Sequence, residues 1–295
     1  MKHLLGLNGF SASSARNIFA RSARFKALRN EPGKGGRPLE GQTWALMFSK
    51  SSTRNRVSFE VGIRELGGES LFLSSADIQL GRGEPVKDTA RVLGRMIHGA
   101  VIRTFAQADV DEFAAYSGIP TVNALTDEEH PCQVLTDIFT FEEKRGPIEG
   151  KRIAFIGDAA CNMGCSWAYA AEIFGFEIVF AAPPGYECPV TNPHVIQTVS
   201  PLEAVRGADL LYTDVWVSMG KEAESAQRLK ELAPYQIDDT LVAAAKPNAL
   251  VFHCLPAYRG KEITEKVLEA HAQDIFDEAE NRLHVQKGIL DWLVG

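Results

Sequence analysis

Two rhythms of apolar residues alternate along the first half of this chain. Short, mainly apolar runs at 44–48, 70–73, 100–103 and 121–124 read as buried strands. Between them, 57–66, 86–96 and 110–116 carry apolar positions three and four apart, the spacing of amphipathic helices. Further helix patterns cover 11–28, stopped by the Gly- and Pro-rich stretch 31–38, and 132–144, stopped by 145–150. Beyond that break the alternation restarts, with strands expected at 152–157, 177–181, 210–213, 250–252 and 275–276 and helices at 163–174, 202–206 and 282–294. Strands alternating with helices imply βαβ units and parallel sheets. The expected fold is therefore α/β, with two doubly wound domains, each a mostly parallel sheet flanked by helices.

At 295 residues the chain suits two domains of ordinary size. Hydrophobic content of 45% and charged content of 23% are those of a globular protein. A net charge of −7 argues against a nucleic-acid binder, so an anionic ligand has to be drawn by local positive charge. Neither an apolar stretch of membrane-spanning length nor a secretory leader is expected. Five cysteines at irregular spacing do not form a disulfide framework and fit free thiols in a reducing cytosol. Cys161 and Cys165 lack a second Cys/His pair at metal-binding spacing, so no metal is expected. Gly157-Asp158 opens a strand-to-helix turn, yet the Gly-x-Gly-x-x-Gly pattern is incomplete, which disfavours a nicotinamide cofactor.

The run Ser49-Lys-Ser-Ser-Thr-Arg-Asn-Arg56 joins a strand to a helix. Such a turn gathers free backbone N–H groups, hydroxyls and the positive end of a helix dipole, all favourable to phosphate. Arg54 and Arg56 add planar donors suited to phosphate oxygens. An ordinary capped helix with a solvated basic turn has the same composition. Arg103 and Asp214 stand at strand ends, where open α/β sheets bind ligands, and His130 precedes a Pro suited to a first helical position. Each of these also occurs as a surface ion-pair partner or a plain turn.

Taken in order, that run together with His130-Pro-Cys-Gln133, Asp214-Val-Trp-Val-Ser-Met-Gly220 and His253-Cys-Leu-Pro256 resembles the carbamoyltransferase family, in its ornithine-using branch. The resemblance runs from Lys2 to Arg282. It implies transfer of a carbamoyl group from carbamoyl phosphate to the δ-amine of ornithine, giving citrulline and phosphate, as a cytoplasmic step of arginine biosynthesis without a cofactor. It implies a carbamoyl-phosphate domain at 1–145, onto which a C-terminal helix at 282–295 packs back, and an ornithine domain at 146–281. Carbamoyl phosphate would meet Ser52, Thr53, Arg54, Asn55, Gln79, Arg103, His130, Gln133, Cys254, Leu255 and Arg282. Of these, Thr53, Arg103 and His130 would stabilise the oxyanion, while Cys254 would orient the amine. Ornithine would meet Asn162, Asp214, Ser218 and Met219. The loop 76–85, through Gln79, would reach a neighbouring subunit's site, which implies a homotrimer with shared sites.

This sequence departs from the family pattern in three places. Asn55 replaces a Thr, Pro85 replaces a Ser, and 157–162 is one residue longer than Gly-Asp-Gly-Asn-Asn and lacks its first Asn. Putrescine, an N-acylated ornithine or aspartate stay open as acceptors, and a non-catalytic binding protein for an anionic metabolite is the rival of another class. A Cys254 nucleophile is the weaker mechanism, because a mixed carbonic–phosphoric anhydride already carries a good leaving group.

Overall fold

The computed structural model describes residues 1–31, 35–74, 83–218 and 222–295. They form two units, Met1–Thr136 with Asn281–Gly295, and Asp137–Glu280.

The first unit contains α1 (Ala12–Ala27), β1 (Thr43–Phe48), α2 (Thr53–Glu65), β2 (Glu69–Ser74), α3 (Val86–Leu93), β3 (Gly99–Arg103), α4 (Gln107–Ser117), β4 (Thr121–Leu125) and the start of α5 (Pro131–Arg145). Its sheet is parallel in the order β2-β1-β3-β4. Successive strands therefore leave β1 in opposite directions, which makes the carboxyl ends of β1 and β3 the switch point where such sheets take ligands. Gly99 opens β3 at the opposite, amino end of the sheet, where a Cβ would lie 2.5 Å from the fully buried Trp44 ring. Ser11 caps α1 by accepting the Ser14 N–H at 3.1 Å, and Gly118, at φ 68°, ends α4 in the left-handed region.

The second unit contains β5 (Arg152–Ile156), α6 (Asn162–Phe174), β6 (Glu177–Ala181), β7 (Val195–Thr198), α7 (Pro201–Val205), β8 (Leu210–Thr213), α8 (Ser225–Leu232), α9 (Asp239–Ala244), β9 (Leu250–His253), α10 (Glu265–Ala270) and the start of α11 (Ala272–Val294). Its parallel sheet runs β7-β6-β5-β8-β9, so the switch point lies at the ends of β5 and β8. The buried Tyr212 on β8 stacks on Phe155 at 5.5 Å and meets the edge of Trp167 at 5.2 Å. Burial of each such ring is worth roughly 1.5–3 kcal/mol and fixes the strand end two residues before Asp214.

The α/β expectation holds in both units, and one element is corrected. The strand expected at 275–276 is the first turn of α11. Ile275, Glu278, Asn281 and Arg282 are buried at steps of three and four residues while Phe276 is 52% exposed, which is helical periodicity. The carboxyl half of α11 is held within the first unit by Lys287 to Glu65 at 2.7 Å, Arg21 to Asp291 at 2.7 Å and Lys26 to Asn281 at 2.8 Å. At Gly288 a Cβ would stand 2.2 Å from Ser22 Oγ, so only glycine permits α1 to approach this closely.

Candidate active site

In the first unit the sheet delivers its ligand-facing residues in register. Arg103 pairs with Phe48, and the Ser49 N–H donates to the Arg103 carbonyl at 2.8 Å. Ser52 follows as the N-cap of α2, its hydroxyl accepting the Asn55 N–H at 3.3 Å. Thr53 and Arg54 open the helix, and Arg54 Nε is buried with no hydrogen-bond partner among the described residues. His130 stands directly before α5, with its carbonyl accepting the Gln133 N–H at 3.1 Å, and Gln133 is fully buried. Burial, followed by the charges of Arg282, Arg103 and Arg54, holds His130 well below the ordinary imidazole value. One neutral imidazole thus stands among three guanidinium groups, an arrangement suited to an anion with a polarisable carbonyl.

Arg282 and two residues of the 49–56 run, Asn55 and Arg56, have distinct fates. Arg282, on α11, donates to Asn55 Oδ1, while Asn55 Nδ2 donates to the Ala124 carbonyl at 3.1 Å. The fully buried Asn55 side chain is therefore committed to protein, and it is the residue that seats Arg282. Arg56 turns aside: its Nε donates to Glu60 at 2.8 Å and its guanidinium lies 3.6 Å from the Phe72 ring centroid. Both contacts engage the half-exposed Arg56 with residues of α2 and β2. Gln79 lies outside the described residues.

Next to His130, Glu129 has a structural role that no local pattern announces. Its Oε2 accepts the Leu7 N–H at 2.6 Å, and a Cβ on Gly6 would collide with Oε1 at 2.4 Å. Burial raises this carboxyl to about 7, against the lowering effect of the Leu7 and Asn8 N–H groups, with Asp111 adding to the rise. The folded state therefore binds this proton more tightly than the unfolded chain does. Its contribution is complete below pH 4.5 and is lost as pH climbs to about 7, to an extent of about 3 kcal/mol. Glu129→Gln is expected to flatten the fall in Tm between pH 5 and 8, measured by circular dichroism melts.

In the second unit, Asp214 follows β8 and Cys254 follows β9. The Cys254 thiol donates to Asp214 Oδ1 at 3.0 Å, which also accepts the Val215 N–H at 2.7 Å. Burial, then the charge of Asp214 and that hydrogen bond, push the Cys254 thiol well above its usual value. Cys254 is thus a neutral hydrogen-bond donor rather than a thiolate nucleophile. Leu255 has φ 55°, a left-handed conformation that costs a bulky residue about 1–3 kcal/mol. It is held by its N–H donating to His253 Nδ1 at 2.9 Å. Donor atoms of Asp214, His253 and Cys254 lie within 4.8 Å of one another. With Nδ1 accepting, the His253 proton sits on Nε2, facing Glu262 at 3.1 Å, so neither ring nitrogen keeps a lone pair for a metal.

Asn162 is the first residue of α6, after the turn that follows β5, and Ser218 lies in the segment after β8; Met219 lies outside the described residues. Those two segments are tied by Arg228 of α8, which sequence reading missed. Arg228 Nε donates to the Trp216 carbonyl at 2.7 Å, Nη2 pairs with Asp158, Nη1 reaches Glu224 at 3.2 Å, and the guanidinium lies 4.9 Å from the Tyr186 ring centroid. Arg228→Lys keeps the charge beside Asp158 and loses the fork that also reaches Trp216. A hydrogen bond from a charged donor is worth roughly 1.5–3 kcal/mol, so the amine substrate's KM is expected to rise about tenfold or more in steady-state assays.

Comparison with known proteins matches two successive parts of the chain. Residues 2–143 match the carbamoyl-P binding domain of aspartate/ornithine carbamoyltransferase, and residues 149–293 match its Asp/Orn binding domain. An ornithine carbamoyltransferase of Akkermansia muciniphila is 55% identical, over 98% of this chain and 97% of its own. One of Geobacter sulfurreducens is 47% identical, over 98% of each chain. The solved ornithine carbamoyltransferase of Pyrococcus furiosus superposes with a TM-score of 0.92 at 40% identity, over 100% of this chain and 97% of that one.

Proposed function

Since this chain belongs to the aspartate/ornithine carbamoyltransferase family, we propose that it transfers the carbamoyl group of carbamoyl phosphate to the δ-amine of L-ornithine, releasing citrulline and phosphate. The observation that carries this reading is the neutral His130 among Arg54, Arg103 and Arg282 beside the amino terminus of α2. The first unit takes carbamoyl phosphate. Ser52, Thr53, the Asn55 backbone and Arg54 hold the phosphate, where helix-end N–H groups and a guanidinium favour a dianion.

Arg103, His130 and Thr53 donate toward the carbonyl oxygen as it gains charge, and Gln133 and Arg282 fix the carbamoyl group. Gln79 supplies a further contact from a neighbouring subunit. The second unit takes ornithine, with Asp214 pairing an ammonium group and Asn162, Ser218 and Met219 fixing the amino-acid end. Cys254 and Leu255 orient the δ-amine. That amine, with a pKa near ~10.4 by analogy with Lys, gives up its proton before attack. The departing phosphate is the final acceptor.

The product feeds arginine biosynthesis in the cytoplasm. Among the described residues no helix is long and apolar enough to cross a membrane. The proposed assembly is a homotrimer, supported by the sheet-edge strand β2 and α2 leaving Leu71 45% and Val57 53% exposed. Light scattering should then give about three times 32.3 kDa. The test of activity is citrulline formation with ornithine, putrescine, N-acetylornithine and aspartate in parallel. Turnover confined to ornithine supports the acceptor pocket, turnover with another amine overturns it, and no turnover at all overturns the enzyme.

A further inference from the structure

Two thiols of the second unit that have no assigned part in the reaction meet beside α6. Cys165 lies one turn into α6, its N–H donating to the carbonyl of the N-cap residue Cys161 at 3.1 Å. Cys188 lies in the loop after β6, and the Cys165 thiol hydrogen-bonds its sulfur. The loop is fixed along α6 on both sides of this contact. The Tyr186 carbonyl accepts the Ala159 N–H at 3.0 Å, and Asn192 Nδ2 donates to the Ala168 carbonyl at 2.9 Å. Gln197 of β7 holds the Cys188 backbone from both sides, accepting its N–H at 2.9 Å and donating to its carbonyl at 3.1 Å. Cys188 is 3% exposed and Cys165 is half-buried, so a small oxidant meets the pair from the Cys165 side.

We propose that Cys165 and Cys188 form a redox-active dithiol, a modification site that a peroxide closes into a disulfide. One thiol is oxidised to a sulfenic acid with release of one water. The other thiol displaces that hydroxyl, which leaves as a second water while the S–S bond forms, so two thiols and one peroxide yield a disulfide and two waters. The acidities favour this pair. The hydrogen bond from Cys165 is the largest influence on Cys188 and lowers it, with the Val190 N–H helping, against burial and Cys161. Burial instead pushes Cys132 to about 12 and drives Cys161 and Cys254 well above the usual thiol value.

Asn162 sits less than a turn from Cys165 on the same helix, so closure displaces the first turn of α6 and raises the KM for ornithine; this consequence rests on the function proposed above.

The experiment treats the full-length protein with hydrogen peroxide, alkylates the remaining thiols and digests without reduction. Cleavage after glutamates separates 150–172, with Cys161 and Cys165, from 188–203, with Cys188. The expected product links these peptides, with fragment ions placing the bond at Cys165, and dithiothreitol reverses it. The ornithine KM is expected to rise at least threefold on oxidation in the wild type and to stay constant in Cys165→Ser. A bond through Cys161, or no bond at peroxide levels that already oxidise the other thiols, overturns the dithiol. A linked peptide with unchanged KM overturns its coupling to Asn162. Failure of the ornithine reading shows separately, as a reduced enzyme without turnover on ornithine, because the mass spectrum needs no turnover.

Discussion

Arg54→Ala is expected to lower kcat/KM for carbamoyl phosphate by about 100- to 1,000-fold, the scale of losing one donor aimed at developing or leaving-group charge. Arg54 opens α2 with a buried Nε that finds no protein partner among the described residues. Its charge, with those of Arg103 and Arg282, also bears on His130. Three like charges around one imidazole repel one another, and a bound anion relieves that repulsion. The ligand-free variant should therefore keep the wild-type Tm, or melt higher. Inorganic phosphate should raise the Tm of the wild type and leave that of the variant unchanged.

A second readout separates charge from shape. Since Arg54 is one of the charges that lower His130, its removal should move the His130 titration upward, toward the ordinary imidazole value, as followed by NMR. Near-wild-type turnover in the variant would remove the phosphate site from 52–54 altogether.

The parts of this molecule that were legible in the sequence are those whose partners are near in the chain. Parallel strands buried on both faces give compact apolar runs, and the turns at 49–56, 130–133 and 253–256 carry their chemistry in consecutive residues. Contacts made across the sequence left no such trace. Arg228 reaches Asp158 over 70 residues, Glu129 reaches Leu7 over 122, and Arg282 reaches Asn55 over 227.

The strand β7 escaped because it lies at the sheet edge and has no fully buried position among its four residues, so no in-and-out period marks it. The beginning of α11 was mistaken for a strand because its buried face includes Glu278, Asn281 and Arg282, polar residues that hide a helical period from a count of apolar ones. Asn55, which sequence alone marks as a departure, becomes intelligible only beside Arg282: its amide donates to the Ala124 carbonyl and accepts from that guanidinium.

Asp214→Asn is expected to cut kcat/KM for ornithine by about 100-fold or more while leaving the KM for carbamoyl phosphate within twofold, the loss of a charge-assisted pair being roughly 1.5–3 kcal/mol and more when the amine must also be aimed. The asparagine keeps the size of the side chain and an oxygen able to accept the Val215 N–H and the Cys254 thiol, both now received by Oδ1. What it removes is the negative charge. That charge raises the Cys254 pKa, so the substitution should bring the thiol down and quicken its alkylation by iodoacetamide at pH 8. The two readouts move for different reasons. Faster alkylation with unchanged ornithine kinetics would make Asp214 a partner of Cys254 only. Equal loss of both substrates would make it a structural residue of the turn after β8. Loss confined to ornithine, together with faster alkylation, requires one carboxylate to hold the amine and to keep the neighbouring thiol protonated.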